Sequence, residues 1–496
     1  MGVYYECMKH PTEVVYNIPT LLRFDKDTDA AQLEAAVKSI VEAHPTLHTH
    51  FEMKENDVMQ VYDENTEIPV EQLTMTEEEL AAYKKEFVRP FHLATGPLCH
   101  FAIVTTPEAV CLLTDFHHLV FDGASMDIFI QQLGEALNGA PVEQERYTYF
   151  DFVAEEKRFE ASDDFETNRQ YFTSMLSDFE SASEVTADLK GREEEGLMQT
   201  AVSPLDMEAV SRYAQQLGIT PAAVMLAATF YTVARYTGDH HVYLSTISNG
   251  RSDVRIAESF GMFVNTLPLG IAIADQTVDA FIRQSAEVFS GVIDHEKYPF
   301  ARIATEYGFA PQIVYEYQLG VIGKMDVPGL KGLEGMLENN VKFKLSVHIE
   351  PNQGQPSVVL YYNDALYSRE LMEGMARSIV IVANKMVAAS DGSPVKLISL
   401  IDDERAKQLE QFRTVATAEP RYHFFYDGIE RFAAERPDHK ALIACDAEYT
   451  YAELNATTNQ IANGLLERGV APHSRVALLL PRTSRVILSM FGVMKA

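Results

Sequence analysis

The run His117-His118-Leu119-Val120-Phe121-Asp122-Gly123 places two imidazoles, a carboxylate and a glycine side by side. Imidazole exchanges protons near neutral pH and is a common metal ligand. A carboxylate can hold a metal, orient an imidazole or pair with an arginine. Glycine lets backbone or substrate come close. The preceding "AVCLLTDFHH" is apolar and β-branched enough to read as a strand, along which side chains alternate faces. Val110, Leu112, Thr114, Phe116 and His118 then share one face, and Cys111, Leu113, Asp115 and His117 the other. Neighbouring imidazoles that point opposite ways do not hold one metal, and no metal site is expected. They take different jobs instead: one ring packs in the scaffold, the other faces a cleft. The chain also holds a second pair, His240-His241, and a second Asp-Gly step, Asp427-Gly428. Neither feature alone marks a site; their conjunction in one loop does.

The elements that must position this loop are legible on both sides of it. After Gly123, Ser125 is expected to cap a helix through Leu137, with Asp127 in its first turn. "PLCHFAIVTT" and "AVCLLTDFHH" read as two strands joined by "PEA", and Asn17–Phe24 as another. Leu33, Ala36, Val37, Ile40 and Val41 recur at helical spacing until Pro45 stops them. From Glu155 to Gly196 the chain is charged and weakly patterned, a solvated helix and a connector between two lobes. The pattern then restarts with strand "LMQTAVS", a helix from Asp206, and an apolar helix over Pro221–Thr237. Thr220-Pro221 opens that helix and Gly238 closes it. It is short and contains Arg235, so it reads as buried rather than membrane-spanning. Strands follow at "HVYLSTIS", "GMFVNTLPLGIAI", "PQIVYEYQLG", "FKLSVHIEP" and "PSVVLYYNDALY", then a helix over Arg369–Met386. The last stretch holds a helix "GIERFAAERP", a strand pair in "ALIACDAEYTYAEL", a helix "NATTNQIANGLLERG", a strand "RVALLL" and a helix from Ser484. Strands mixed with helices make the class α/β.

The 496 residues are enough for about three domains. The net charge of −31 repels phosphate backbones, which argues against nucleic acid and anionic membranes as partners. Cys7, Cys99, Cys111 and Cys445 are widely spaced, so neither a zinc site nor a disulfide framework is expected. The opening "MGVYYECMKHP" lacks a basic start followed by an apolar run, so no signal peptide is read there. A reducing cytoplasm fits best.

His117 to Gly123 matches the HHxxxDG signature, and the chain resembles the condensation domains of nonribosomal peptide synthetases, relatives of chloramphenicol acetyltransferase. "AHPTLHTHF" (43–51) is similar to RHExLRTxF, "YFDF" (149–152) to YxDF, "SFGMFVNTLPL" (259–269) to GxFVNT, and "HEKYPFARI" (295–303) to (H/N)QDxPFE. These motifs run in the family's order across roughly residues 2 to 400. "YTYAELN" (449–455) resembles the first core motif of adenylation domains. The resemblance implies a first lobe over 1–165, a second over 166–400, a linker over 401–423, and the beginning of an adenylation domain over 424–496. The two acetyltransferase-like lobes would form a V-shaped pseudo-dimer. "FGVMKA" stops where that family continues, so the adenylation part, without its nucleotide loop, would not activate amino acids.

The implied reaction joins two carrier-bound thioesters. The acceptor amine attacks the donor acyl carbon, with no covalent enzyme intermediate, and no GxSxG elbow is present. No cofactor binds the chain directly; 4'-phosphopantetheine arms arrive on donor and acceptor carrier proteins, beside the adenylation domain of the same module. By this resemblance His118 positions the amine or takes its proton. Asp122 braces the loop in an ion pair, Gly123 permits a tight turn or close approach of substrate, and His117 is scaffold. The family's arginines fall at Ala43 and His48, so His48, Arg251 or Arg255 would serve as the partner of Asp122. Asn265 and Ser259 are candidates for the acceptor side, and Ala301 stands where the family has an acid. The alternatives are an epimerization domain, or a non-catalytic platform that recruits carrier or tailoring proteins.

Overall fold

The structure is a computed structural model that describes residues 2–55, 57–319, 327–336, 343–390, 392–413 and 419–496. The chain forms two compact units, Met1–Asp402 and Asp403–Ala496.

The first unit contains two larger sheets. In one, strand Asn17–Asp25 pairs antiparallel with Ala109–His117, which pairs antiparallel with Cys99–Thr105, which pairs parallel with Val70–Thr74. The expected hairpin "PEA" joins the middle two. The fifth strand, Leu330–Gly335, comes from the stretch read as the second lobe and pairs with Thr20–Phe24. Apolar residues occupy both faces because both are covered. Val110, Leu112 and Phe116 pack with helices Ala30–Ala43 and Gly123–Leu137, while Cys111 and Leu113 pack with Leu80 and Phe87 of the helix Glu77–Phe87. The alternation read from the sequence holds up to His117, the last residue of the strand. His118 lies just beyond, in a turn, rather than continuing the Phe116 face.

The second sheet has six strands in the order Met198–Pro204, Gln355–Asn363, Leu345–Asn352, Ile313–Tyr317, His241–Ser248 and Asn265–Ala272. Helix Pro221–Thr237 lies in its core with Thr220 and Gly238 at its ends as expected; the Thr220 hydroxyl accepts the Ala223 N–H, and Gly238 takes φ 83°. Twelve consecutive residues of it, Ala223–Ala234, are buried. Burying side chains of this kind contributes about 1.5–3 kcal/mol for each large one. Among the described residues no single helix is long and apolar enough to cross a membrane; one bent pair, Met207–Leu217 with Pro221–Thr237, passes by length and composition. The charged stretch after Glu155 forms two helices, Tyr149–Glu160 and Asp163–Leu176, the second sending Phe172 and Leu176 into the core.

In the second unit, helices Asp427–Glu435, Tyr451–Leu466 and Ser484–Lys495 enclose Ile429, Leu454 and Leu488, beside a hairpin of Lys440–Ile443 and Glu448–Thr450. Thr450 and Glu453 make a reciprocal capping box at the start of Tyr451–Leu466. "RVALLL" forms no strand: it finds no pairing partner among the described residues, and Leu479 is exposed. Of the expected linker, residues 414–418 lie outside the described residues, and Asp403–Arg413 is a helix.

Candidate functional site

Four contacts shape the loop after Ala109–His117. Phe121 folds back to stack on Phe116, with ring centroids 3.8 Å apart, which draws the two ends of the loop together. The Val120 N–H donates to the His117 carbonyl at 3.0 Å, and the His118 N–H to the Tyr16 carbonyl at 2.8 Å. The Leu119 N–H donates to His117 Nδ1 at 3.1 Å. That bond fixes the neutral tautomer with its proton on Nε2, which faces Cys7 Sγ at 3.6 Å. Burial, and then the neighbouring His118, hold the His117 pKa down to about 4. His117 is therefore a neutral brace inside the turn. Across residues 109–122 only His118 is not buried.

Asp122 is fully buried and closes the loop by reaching the second half of the chain. It caps helix Gly123–Leu137, with Oδ1 accepting the Ser125 N–H at 2.8 Å. Ser125 was expected in that capping place; it sits one turn in instead, its hydroxyl 2.8 Å from Asp122 Oδ1. Asp127 accordingly falls beyond the first turn. The same Oδ1 accepts Arg251 Nη2 at 3.1 Å, and Oδ2 accepts the Phe263 N–H at 3.0 Å. Arg251 is held in turn: Nη1 donates to the Ile256 and Ser259 carbonyls, both at 2.7 Å, Nη2 also to Ser125 Oγ at 3.0 Å, and the guanidinium lies 4.4 Å from the Phe263 ring centre. Phe260 continues this seam, packed edge-on to Phe121 and stacked on His44 at 3.6 Å.

Of the three candidate partners for Asp122, Arg251 is the one that meets it. His48 turns away, its Nε2 3.2 Å from the Val41 carbonyl. Arg255 binds Asp253 and Glu155. Gly123 needs neither a left-handed backbone nor a tight fit: it is the first helical residue, exposed, and a Cβ there would meet nothing within 4 Å. The tight turn expected of it is absent; the open space is what remains. Ser259 is buried, with its hydroxyl given to the Tyr147 carbonyl at 2.5 Å, within the seam. Asn265 donates to the Glu296 carbonyl at 2.6 Å. Among the described residues no three His, Cys, Asp or Glu side chains gather as a metal site.

The family model described as Condensation domain matches residues 1–410, and that of the AMP-binding enzyme matches 429–496. The chain belongs to the condensation-domain family. It is similar to gramicidin S synthase 2 of Aneurinibacillus migulanus, 25% identical over 499 residues, which are 97% of this chain and 11% of that protein. The chain thus spans about a tenth of that relative's length. Among solved structures, the first condensation domain of the calcium-dependent antibiotic synthetase in complex with a substrate analogue superposes with a TM-score of 0.64 at 20% identity, over 81% of this chain and 97% of that one. A four-domain nonribosomal peptide synthetase bound to AMP and glycine reaches 0.68 at 19% identity, over 99% of this chain and 40% of that one. These likenesses give the same mixed α/β fold. Within this condensation domain the sequence pattern missed a second buried pair at the seam. His44 Nδ1 lies 3.0 Å from Glu145 Oε2, both side chains almost fully buried, and its Nε2 is 2.8 Å from Gln132 Oε1. His44 lies inside a quoted motif, but nothing in the spacing points from it to Glu145.

Proposed function

We propose that the first unit forms amide bonds between carrier-delivered substrates, as the condensation domain of a nonribosomal peptide synthetase. The observation that carries this reading is the loop 117–123: one partly exposed imidazole, on a turn held by a buried neutral histidine and a long-range ion pair between Asp122 and Arg251. The acceptor α-amine has an ordinary pKa near 8, so a useful fraction is neutral before attack. Once bonded to the acyl carbon the nitrogen becomes strongly acidic; the His118 imidazole orients it, accepts its proton, and returns that proton to the thiolate that departs. Asp122, with both oxygens committed to Ser125, Arg251 and Phe263, holds the loop. The open face of Gly123, at a helix N-terminus, leaves room for the thioester and offers a backbone N–H to the developing oxyanion. The substrates would arrive on 4'-phosphopantetheine arms of donor and acceptor carrier proteins.

The test is mass transfer from a donor-loaded to an acceptor-loaded carrier. His118→Ala is expected to slow transfer about a hundredfold or more. Gly123→Ala is expected to keep the fold, since alanine favours a helix, yet to lose transfer by crowding the thioester. Near-native transfer in His118→Ala sinks the reading. Inversion at Cα in the native protein would make it an epimerization domain, and carrier binding without either reaction a platform.

A further inference from the structure

A cavity of about 340 Å³ lies beside the seam, and none of residues 117–123 lines it. Its walls are aromatic, with Tyr149 and Phe152 from helix Tyr149–Glu160, Phe263 from the seam and Phe300 from helix Phe300–Tyr307. Tyr149 and Phe152 meet Phe263 edge to face at 5.1 and 5.0 Å, which fixes the wall. Ala301, small and exposed, leaves the mouth open.

The charged lining is mostly acidic. Glu155 and Asp253 are already paired with Arg255. Glu156 is exposed at the rim, and Lys297 is the basic side chain of the lining. Glu296 differs from these. It is only 8% exposed, its Oε2 accepts the Ser248 hydroxyl, and among the described residues no Lys, Arg or His comes within 4 Å of its carboxylate. A carboxylate this buried is costly without a counter-charge. Aromatic faces attract cations, and a concave, mostly apolar space with few convergent polar groups is the usual form of a small-molecule site. An anion would meet four carboxylates; a neutral hydrophobe would leave Glu296 uncompensated.

We propose that this cavity binds a small organic ammonium ion, its charge at Glu296 and its apolar body against Tyr149, Phe152, Phe263 and Phe300. The site shares Phe263 with the seam but takes no lining residue from the loop 117–123, and it does not depend on the reaction assigned to that loop.

The probe is phenethylammonium, titrated calorimetrically into the full chain beside two controls of matched chain length, neutral 2-phenylethanol and anionic 3-phenylpropanoate. Saturable one-site binding of the ammonium is expected, with the alcohol at least about tenfold weaker and the carboxylate not binding. Glu296→Gln keeps the size and the Ser248 contact; it is expected to lower ammonium affinity about tenfold and to erase the preference over the alcohol. Ala301→Trp, which covers the mouth, should block both ligands, with thermal unfolding showing that the variant is folded. No saturable heat with millimolar ammonium overturns the proposal. So does equal affinity for ammonium and alcohol in the native chain, or an ammonium affinity unchanged by Glu296→Gln.

Discussion

His117-His118 and His240-His241 are the same dipeptide at opposite ends of a strand. His240-His241 opens His241–Ser248 with both residues exposed; the His241 ring lies 5.5 Å from Phe179. His117-His118 closes Ala109–His117, one ring sealed behind the sheet and one at the surface of a packed turn. The Asp-Gly steps divide the same way. Asp427 accepts the N–H groups of His423 and Phe424, both at 2.9 Å, and satisfies only its own turn. Asp122 reaches Arg251 and Phe263, 129 and 141 residues away. The difference lies in what the carboxylate spans. A loop tied to a distant part of the chain holds one imidazole at a fixed place; a loop tied only to itself does not.

The largest effect expected from this contrast is on stability. Arg251→Ala leaves Asp122 buried and charged without its cation, which typically costs about 3–5 kcal/mol. Asp427→Ala removes bonds at a partly exposed turn and should cost about 0.5–1.5 kcal/mol. Urea denaturation of the two variants beside the native chain measures the gap. Equal costs would mean that the seam contributes no more than an ordinary turn.

A second effect comes from the sheet face behind His117. Asp115 lies on that face with Oδ2 accepting Asn17 Nδ2 at 2.8 Å, and burial, partly opposed by that bond, pushes its pKa up to about 8. Burial holds His100, which pairs with Asp115 across the sheet, down to about 4, as it does His117. The signs follow by linkage. The raised Asp115 contributes stability that is full below its unfolded value of 3.8 and is lost as pH rises through 8. Each lowered histidine contributes stability that is full above 6.5 and is lost as pH falls through 4. Between pH 4 and 6.5 two histidines outweigh one aspartate, so the joint contribution of these three groups rises with pH; above 6.5 the aspartate alone of the three acts, and their contribution falls by about 1.4 kcal/mol per unit. Their joint contribution is greatest near pH 6.5. Asp115→Asn should flatten the fall between 6.5 and 8, and a profile that it leaves unchanged would clear Asp115 of that role.

Local pattern made much of this fold legible. Alternation located the strand before the loop, and Thr220-Pro221 with Gly238 bounded the central buried helix, because those signals act within a few residues. What escaped acts at a distance or by direction. Strand Leu330–Gly335 reads "LKGLEG", too polar and glycine-rich to announce itself, and exists because the edge of Asn17–Asp25 receives it. "RVALLL" has the composition of a strand, but composition supplies no pairing partner. Ser259 stands in a motif and is polar, yet only the fold shows its hydroxyl aimed at the Tyr147 carbonyl. The arginine serving Asp122 could be narrowed to candidates but not chosen, since Arg251 and Arg255 differ by one turn of chain and by everything they face. Ser125 was misread for a simpler reason: Asp122, three residues earlier, caps the helix and binds the seam with the same carboxylate.

The smallest effect belongs to the second histidine pair. Replacing both His240 and His241 by alanine removes two exposed rings and one loose contact with Phe179. The backbone bond from Ile273 N–H to the His240 carbonyl, 2.8 Å, survives the change. The double variant is expected to unfold within about 0.5 kcal/mol of the native chain, the usual range for surface substitutions, and to transfer acyl groups at the native rate. His117→Ala, by contrast, takes away the acceptor of the Leu119 N–H and leaves a void beside Cys7. It should destabilise by about 1–3 kcal/mol, and slow transfer by letting His118 drift, without changing the pH dependence of the residual rate. If the double variant matched His117→Ala in both readouts, the two pairs would be equivalent after all, and the weight placed on the loop's long-range bracing would have to move elsewhere.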